Sequence, residues 1–191
     1  MARPSSDVRE RIVSAAHQLL RENGVRAVVQ VRVAEAAGVP QGHLTYYFPK
    51  KSDLLVAVAQ RFREDTVRSV AKLLESLEPD LRTRLLAVVE LMAADRTRTR
   101  ALLGLTIEAD AHPELRAELE EGAARVRRFL TAILGKSQPD ADVDVVLALF
   151  WGFGVERLVL GETQTEEQGR EALARVGEVL ARHFGWETAS S

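Results

Sequence analysis

The stretch Val31-Arg-Val-Ala-Glu-Ala-Ala-Gly-Val-Pro-Gln-Gly-His-Leu-Thr-Tyr-Tyr-Phe48 decides the fold. It reads as a short helix, a break at Gly38 and a second short helix. Ala34 is small, as two closely crossing helices require. Gly38 has no Cβ and so can take the positive φ that turns the chain sharply. Val39 and Leu44 are placed to pin the second helix to the first. This is helix-turn-helix grammar, in which the second helix is presented to the DNA major groove.

Working upstream, Ile12, Ala16, Leu19 and Leu20 form an apolar stripe at helical spacing. They predict a first helix over about 7–22, capped by Ser6 or Asp7 and stopped by Asn23-Gly24. Val28 to Val33 is the one β-looking run, and it passes directly into Ala34-Glu35-Ala36-Ala37, which favours helix. The second helix is therefore expected over about 31–37 and the third over about 40–47. Working downstream, Ser52 is expected to cap a longer fourth helix reaching about Leu77, with Pro79 closing it. Further helices are expected over about 80–94, 97–111, 113–135, 141–161 and 166–184. The fold class is all-α, about nine helices, with a helix-turn-helix domain over 1–52 and a helical domain over 53–191.

Composition agrees with a folded helical protein. Of 191 residues, 46% are hydrophobic and 28% charged, enough apolar material for a core and too little charge excess for disorder. There is no cysteine, which removes disulfides, zinc ribbons and thiol catalysis. Met1 to Arg11 has no apolar stretch of the kind a secretory signal needs. The most apolar run, Val143 to Leu160, is interrupted by Asp144, Glu156 and Arg157, so no membrane span is expected. A cytoplasmic protein is the expectation. The net charge of −2 hides an asymmetry. Residues 1–63 hold ten Lys and Arg against five Asp and Glu, net +5, and the remainder holds 16 against 23, net −7. Only the N-terminal third is suited to meet a polyanion.

The same residues give a family resemblance. Val33-Ala34-Glu35-Ala36-Ala37-Gly38-Val39, Gly42, Leu44, Tyr46, Phe48-Pro49, Lys51 and Leu54-Leu55 resemble the tetracycline-repressor (TetR) family of bacterial transcription regulators. Leu19-Leu20-Arg21-Glu22-Asn23-Gly24 before them matches too. The resemblance spans roughly residues 8–60; beyond it only length and helical layout are similar. Val29 and Gln30 stand where the family usually has Thr, and Pro40-Gln41 where it has Ser-Lys. His43 stands where Thr or Ser is common, and Thr45 where an aromatic is common. These departures remove one cap and one phosphate-binding charge. Within this frame Gln41, His43 and Thr45 are candidates for base-edge contact, since Gln can pair with adenine and Thr can touch a thymine methyl. Tyr46, Tyr47 and Lys51 are candidates for phosphate, helped by the N-terminus of the fourth helix. Arg32 can reach a phosphate or a base, and Gly42 leaves room for the backbone to approach DNA.

Val143 to Leu160 is apolar nearly all round, so every side of that helix must be covered, and a second subunit is one candidate cover. The family implies that the last two helices pair with their copies, making Val143, Leu147, Gly154, Leu158, Leu173, Val176, Leu180 and Phe184 interface candidates. A two-fold dimer would read a palindromic operator with half-sites about 34–36 Å apart or a multiple of that. The family also implies a small-molecule effector, with Leu91, Met92, Leu102, Leu105, Glu108, Phe129, Phe150, Trp151 and Phe153 as candidate lining. The expected partners are thus operator DNA, a second copy of the chain and an unidentified effector. No catalytic set, metal site or cofactor is expected: His17, His43, His112 and His183 are scattered, and there is no phosphate-binding Gly-rich loop. The function these features support is a ligand-responsive DNA-binding regulator, most readily a repressor. The alternative is a helical dimeric interaction protein without specific DNA binding, separable from the first by salt dependence.

Overall fold

The computed structural model describes residues 4–78, 80–160 and 165–185. These residues form nine α-helices and one 3-10 turn, with no strand among them. The helices are α1 (Pro4–Asn23), α2 (Gln30–Ala37), α3 (Gln41–Tyr47), α4 (Lys51–Glu75) and α5 (Leu81–Ala94). They continue with α6 (Arg96–Glu108), α7 (Pro113–Ile133), α8 (Ala141–Leu160) and α9 (Glu166–His183), and the 3-10 turn is Val25–Ala27. The all-α expectation and the helix order hold. Pro79, the expected stop of α4, lies outside the described residues.

The chain divides into two compact units. One comprises residues 1–68 and 100–123, the other 69–99 and 124–191, and the chain passes between them within α4, α6 and α7.

In the first unit the α1 stripe does what its spacing predicts. Ile12, Ala16 and Leu20 are fully buried, together with Val28, Val33, Leu44, Leu54, Leu55 and Val58. Ala101 and Leu105 of α6 and Leu115 of α7 complete that core. The β-looking Val28 is a buried residue closing the 3-10 turn, and Val29 is the extended residue before α2. Gly104 lies where α6 meets the 3-10 turn: a Cβ there would stand 2.9 Å from the Val25 Cβ.

The second unit is built around Leu85 and Val89 of α5, Leu130 and Leu134, Val143 and Val146 of α8, and Leu180 of α9. Its helices are capped by polar side chains. Asp80 accepts from the Thr83 amide at 2.7 Å, and Asp140 from Asp142 at 3.1 Å. Thr165 and Gln168 form a reciprocal capping box at the start of α9, which satisfies two otherwise orphaned amides.

Candidate nucleic-acid interface

The turn between α2 and α3 is fixed by three independent constraints. Gly38 has φ 63°, the left-handed conformation that glycine adopts without steric cost. The Gly38 amide donates to Glu35 O and the Val39 amide to Ala34 O, both at 3.0 Å, closing the C-terminus of α2 in a Schellman arrangement. Arg11 of α1 then donates through Nη2 to the Ala37 carbonyl at 2.6 Å and the Gly38 carbonyl at 3.0 Å. The outer turn is thereby tied to α1.

The recognition helix α3 presents two unlike faces. Leu44 is fully buried, and Phe48 just beyond is nearly so, with the Arg9 guanidinium 5.4 Å from its ring centre. Gln41, Gly42, His43, Thr45 and Tyr46 are exposed, Tyr46 to 79%. Nothing lies within 4 Å of a Cβ built on Gly42, so the backbone there is open to approach. The Thr45 hydroxyl donates back to the Gln41 carbonyl at 3.2 Å, leaving Thr45 to offer chiefly an apolar contact. Tyr46 and Tyr47 pack edge to face at 5.1 Å, with Tyr47 half-buried against the core. Arg32 of α2 is exposed on the same unit.

The helix starts show the effect of the missing hydroxyls. Neither Val29 before α2 nor Pro40 before α3 supplies a side-chain cap. Ser52, expected to cap α4, does not. It is a buried residue inside the first turn, and Asp53 instead accepts from the Lys50 amide at 3.0 Å. The helix begins at Lys51, two residues earlier than the Ser signal implies, and the Asp53 carboxylate, three residues on from Lys50, serves its N-terminus.

Lys51 opens α4 and is partly exposed, but it has a partner. Its Nζ is 2.6 Å from Oε2 of Glu108, the last residue of α6. Glu108 is also 3.6 Å from His112 Nε2. Glu108, an effector candidate by sequence, stands beside a DNA-binding candidate. Leu105 likewise belongs to the core of the first unit, and Leu102 is half-buried in that unit.

The other effector candidates lie in the second unit. Leu91, Met92, Phe129 and Phe150 are half-buried, Phe153 is buried beneath the Arg157 guanidinium, and Trp151 packs edge to face on Phe150 at 6.0 Å. Two clefts of that unit, about 270 and 240 Å³, are lined by other residues, Arg128, Thr131, Lys136 and Pro139 among those of one and Leu86, Glu90, Arg170 and Gly177 among those of the other.

Several interface candidates prove to be interior. Val143 and Leu180 are fully buried in the core of their own unit, so they lie behind its surface. Gly154 is buried against Thr99, whose Oγ1 would be 2.9 Å from an added Cβ; the close approach it permits is within the chain. An all-round apolar helix gives no sequence signal for which side faces inward. Leu147, Leu158, Leu173, Val176 and Phe184 are half-buried, and α8 leaves Ala148, Trp151, Gly152 and Val159 exposed on its outer side.

Among the described residues no group of His, Asp and Glu is arranged to hold a metal ion. No helix among them is long and apolar enough to cross a membrane.

A short exposed helix locked behind a tight turn, with an open N-terminal third rich in basic residues, defines a helix-turn-helix DNA-binding protein. Comparison with known proteins makes the assignment specific. The family model described as bacterial regulatory proteins, tetR family, matches residues 12–58. The model described as tetracyclin repressor-like, C-terminal domain, matches residues 80–181, more than half the chain. The chain belongs to the TetR family and is a DNA-binding transcriptional regulator. It is 24% identical to the HTH-type transcriptional repressor NemR of Escherichia coli K12, over 92% of this chain and 94% of NemR. A solved TetR-family member from Streptomyces coelicolor A3 superposes with a TM-score of 0.67 at 30% identity, covering 88% of this chain and 97% of the other. The multidrug binding protein EbrR, solved with proflavin, gives a TM-score of 0.64 at 30% identity, covering 88% of this chain and 99% of EbrR.

Proposed function

We propose that this chain is a homodimeric repressor that binds a palindromic operator in the cytoplasm and is released by a small-molecule effector. The observation that carries the reading is the two-faced α3: Leu44 is fully buried while Gln41, His43, Thr45 and Tyr46 stand exposed. Gln41, His43 and Thr45 read base edges; Tyr46, Tyr47, Arg32 and Lys51 hold phosphates; Gly42 lets the backbone close in. The division of labour is residues 1–52 for DNA and 53–191 for dimerisation and effector.

The exposed side of α8 supports the dimer, with Trp151 and Val159 as central contacts beside Leu147 and Leu158, and with Leu173 and Val176 contributed from α9 and Phe184 from just beyond it. Leu91, Met92, Phe129, Phe150, Trp151 and Phe153 are the aromatic and apolar side chains that would receive the effector. NemR is named a repressor and EbrR was solved with proflavin, which supports repression and small-molecule binding by likeness. The effector must bind the DNA-incompetent state more tightly than the competent one, or it shifts no population.

The test is Tyr46→Ala combined with Lys51→Ala. It should weaken duplex binding at least tenfold, flatten the salt dependence by about two units of slope (one per Lys51 of the dimer), and leave the sedimentation coefficient unchanged. Undiminished binding in that variant would refute the docking.

A further inference from the structure

The Lys51–Glu108 pair joins residues 57 positions apart, the first residue of α4 and the last of α6. We propose that Glu108 restrains DNA binding by competing with the DNA backbone for the Lys51 ammonium. The inference rests on Lys51 being a phosphate contact, as read above.

Three observations carry it. The pair is short, 2.6 Å, so the ammonium is engaged with a carboxylate oxygen as it would be with a phosphate oxygen. The two side chains are 44% and 21% exposed, so the pair stands at the surface where a phosphate can reach it. Glu108 also closes α6, whose negative dipole end adds to the hold on a cation. His112, 3.6 Å away, is the other basic group beside the carboxylate.

A phosphate arriving at Lys51 meets the Glu108 charge within a few ångströms. It must either displace that carboxylate or share the ammonium with it, and both are unfavourable. Lys51 contacts phosphate and reads no base, so the restraint acts on every duplex alike.

Fluorescence anisotropy with a random-sequence duplex of about 30 base pairs, at about 0.1 M salt, reads this directly on the full chain. Glu108→Gln keeps size and hydrogen bonding and removes the charge. It should tighten binding about 3–10-fold, Lys51→Met should weaken it, and Glu108→Gln should change affinity less than about twofold in the Lys51→Met background. Glu108→Asp, which draws the carboxylate back by one methylene, should tighten binding to a lesser degree and supplies the same test if the Gln variant melts early.

Unchanged or weaker binding by Glu108→Gln, with Lys51→Met still weakening, overturns this inference alone. Equal tightening in both backgrounds also overturns it, since general charge removal would then suffice. If Lys51→Met leaves affinity unchanged, the docking of Lys51 on phosphate fails and the inference fails with it.

Discussion

Arg11 of α1 and Ala37 at the end of α2 are joined by a 2.6 Å hydrogen bond from the guanidinium to the carbonyl, across 26 residues of sequence. The same Nη2 reaches Gly38 O at 3.0 Å. The left-handed turn therefore rests on α1 as well as on its own glycine. Arg11→Met should lower stability by about 1 kcal/mol, because water can still reach the freed carbonyls, and a thermal melt should show a fall of about 2–4 °C. Operator affinity should fall too, as the angle of α3 loses its tether. An unchanged melt would show that Gly38 holds the turn alone.

Two helical glycines should respond to alanine with opposite signs. Gly122 of α7 has nothing within 4 Å of an added Cβ, so Gly122→Ala should stabilise by up to about 1 kcal/mol through helix propensity. Gly104 meets Val25 Cβ at 2.9 Å, so Gly104→Ala should destabilise by about 1–3 kcal/mol despite the same propensity gain. Val25→Ala removes the Cγ1 that stands 3.1 Å from the new Cβ but keeps the Cβ itself, so it should recover only a minor share of that loss, a coupling that a double-mutant cycle in denaturant would measure.

The exposed side of α8 gives the dimer reading a direct test. Val159 is 77% exposed in the single chain, so Val159→Glu should leave the fold intact and convert a dimer to a monomer in sedimentation equilibrium. Operator binding should weaken in step, because one recognition helix alone spans too few base pairs. Retention of the dimer mass would move the interface elsewhere.

At the junction of α7, α8 and α9, Lys136 is paired with Asp140 at 2.9 Å and with Asp142, while Asp142 also meets His183 at 2.9 Å. Hydrogen bonds from Lys136, and for Asp142 also from His183, hold both carboxyls below the ordinary 3.8. The same two carboxylates push Lys136 up to about 12. A carboxyl with a lowered folded pKa stabilises above its ordinary value and loses that contribution as pH falls through the folded one. Melting temperatures should therefore drop more steeply for the wild type than for Asp142→Asn below about pH 4, and the two curves should converge there. Parallel curves would mean that the cluster adds nothing to stability.

The helix-turn-helix was legible because its signals are local. Gly38, Ala34 and Leu44 each act within a few residues, and the structure uses them as their chemistry suggests. Ser52 misleads because α4 starts before it, at Lys51, and the Asp53 carboxylate serves the helix start from inside the first turn. The partner of Lys51 was not legible, because Glu108 is brought to it only by the packing of α6 in the same core as Leu54 and Leu55. Gly154 and Val143 stand as intersubunit candidates in the sequence because a helix apolar on every side carries no mark of which face turns inward. Thr99, the residue that fills the space beside Gly154, is 55 positions earlier and has nothing in its own neighbourhood to announce the contact.

Reading of a palindrome by α3 within a symmetric dimer is tested by selecting bound DNA from a random duplex pool at about 0.15 M salt, read by sequencing. Enrichment of a two-fold symmetric site is expected, with half-sites about one helical turn apart or a multiple of it, and loss of that enrichment with Tyr46→Ala and Lys51→Ala. A folded, dimeric, effector-free protein that enriches no sequence would contradict it and favour a helical interaction protein instead.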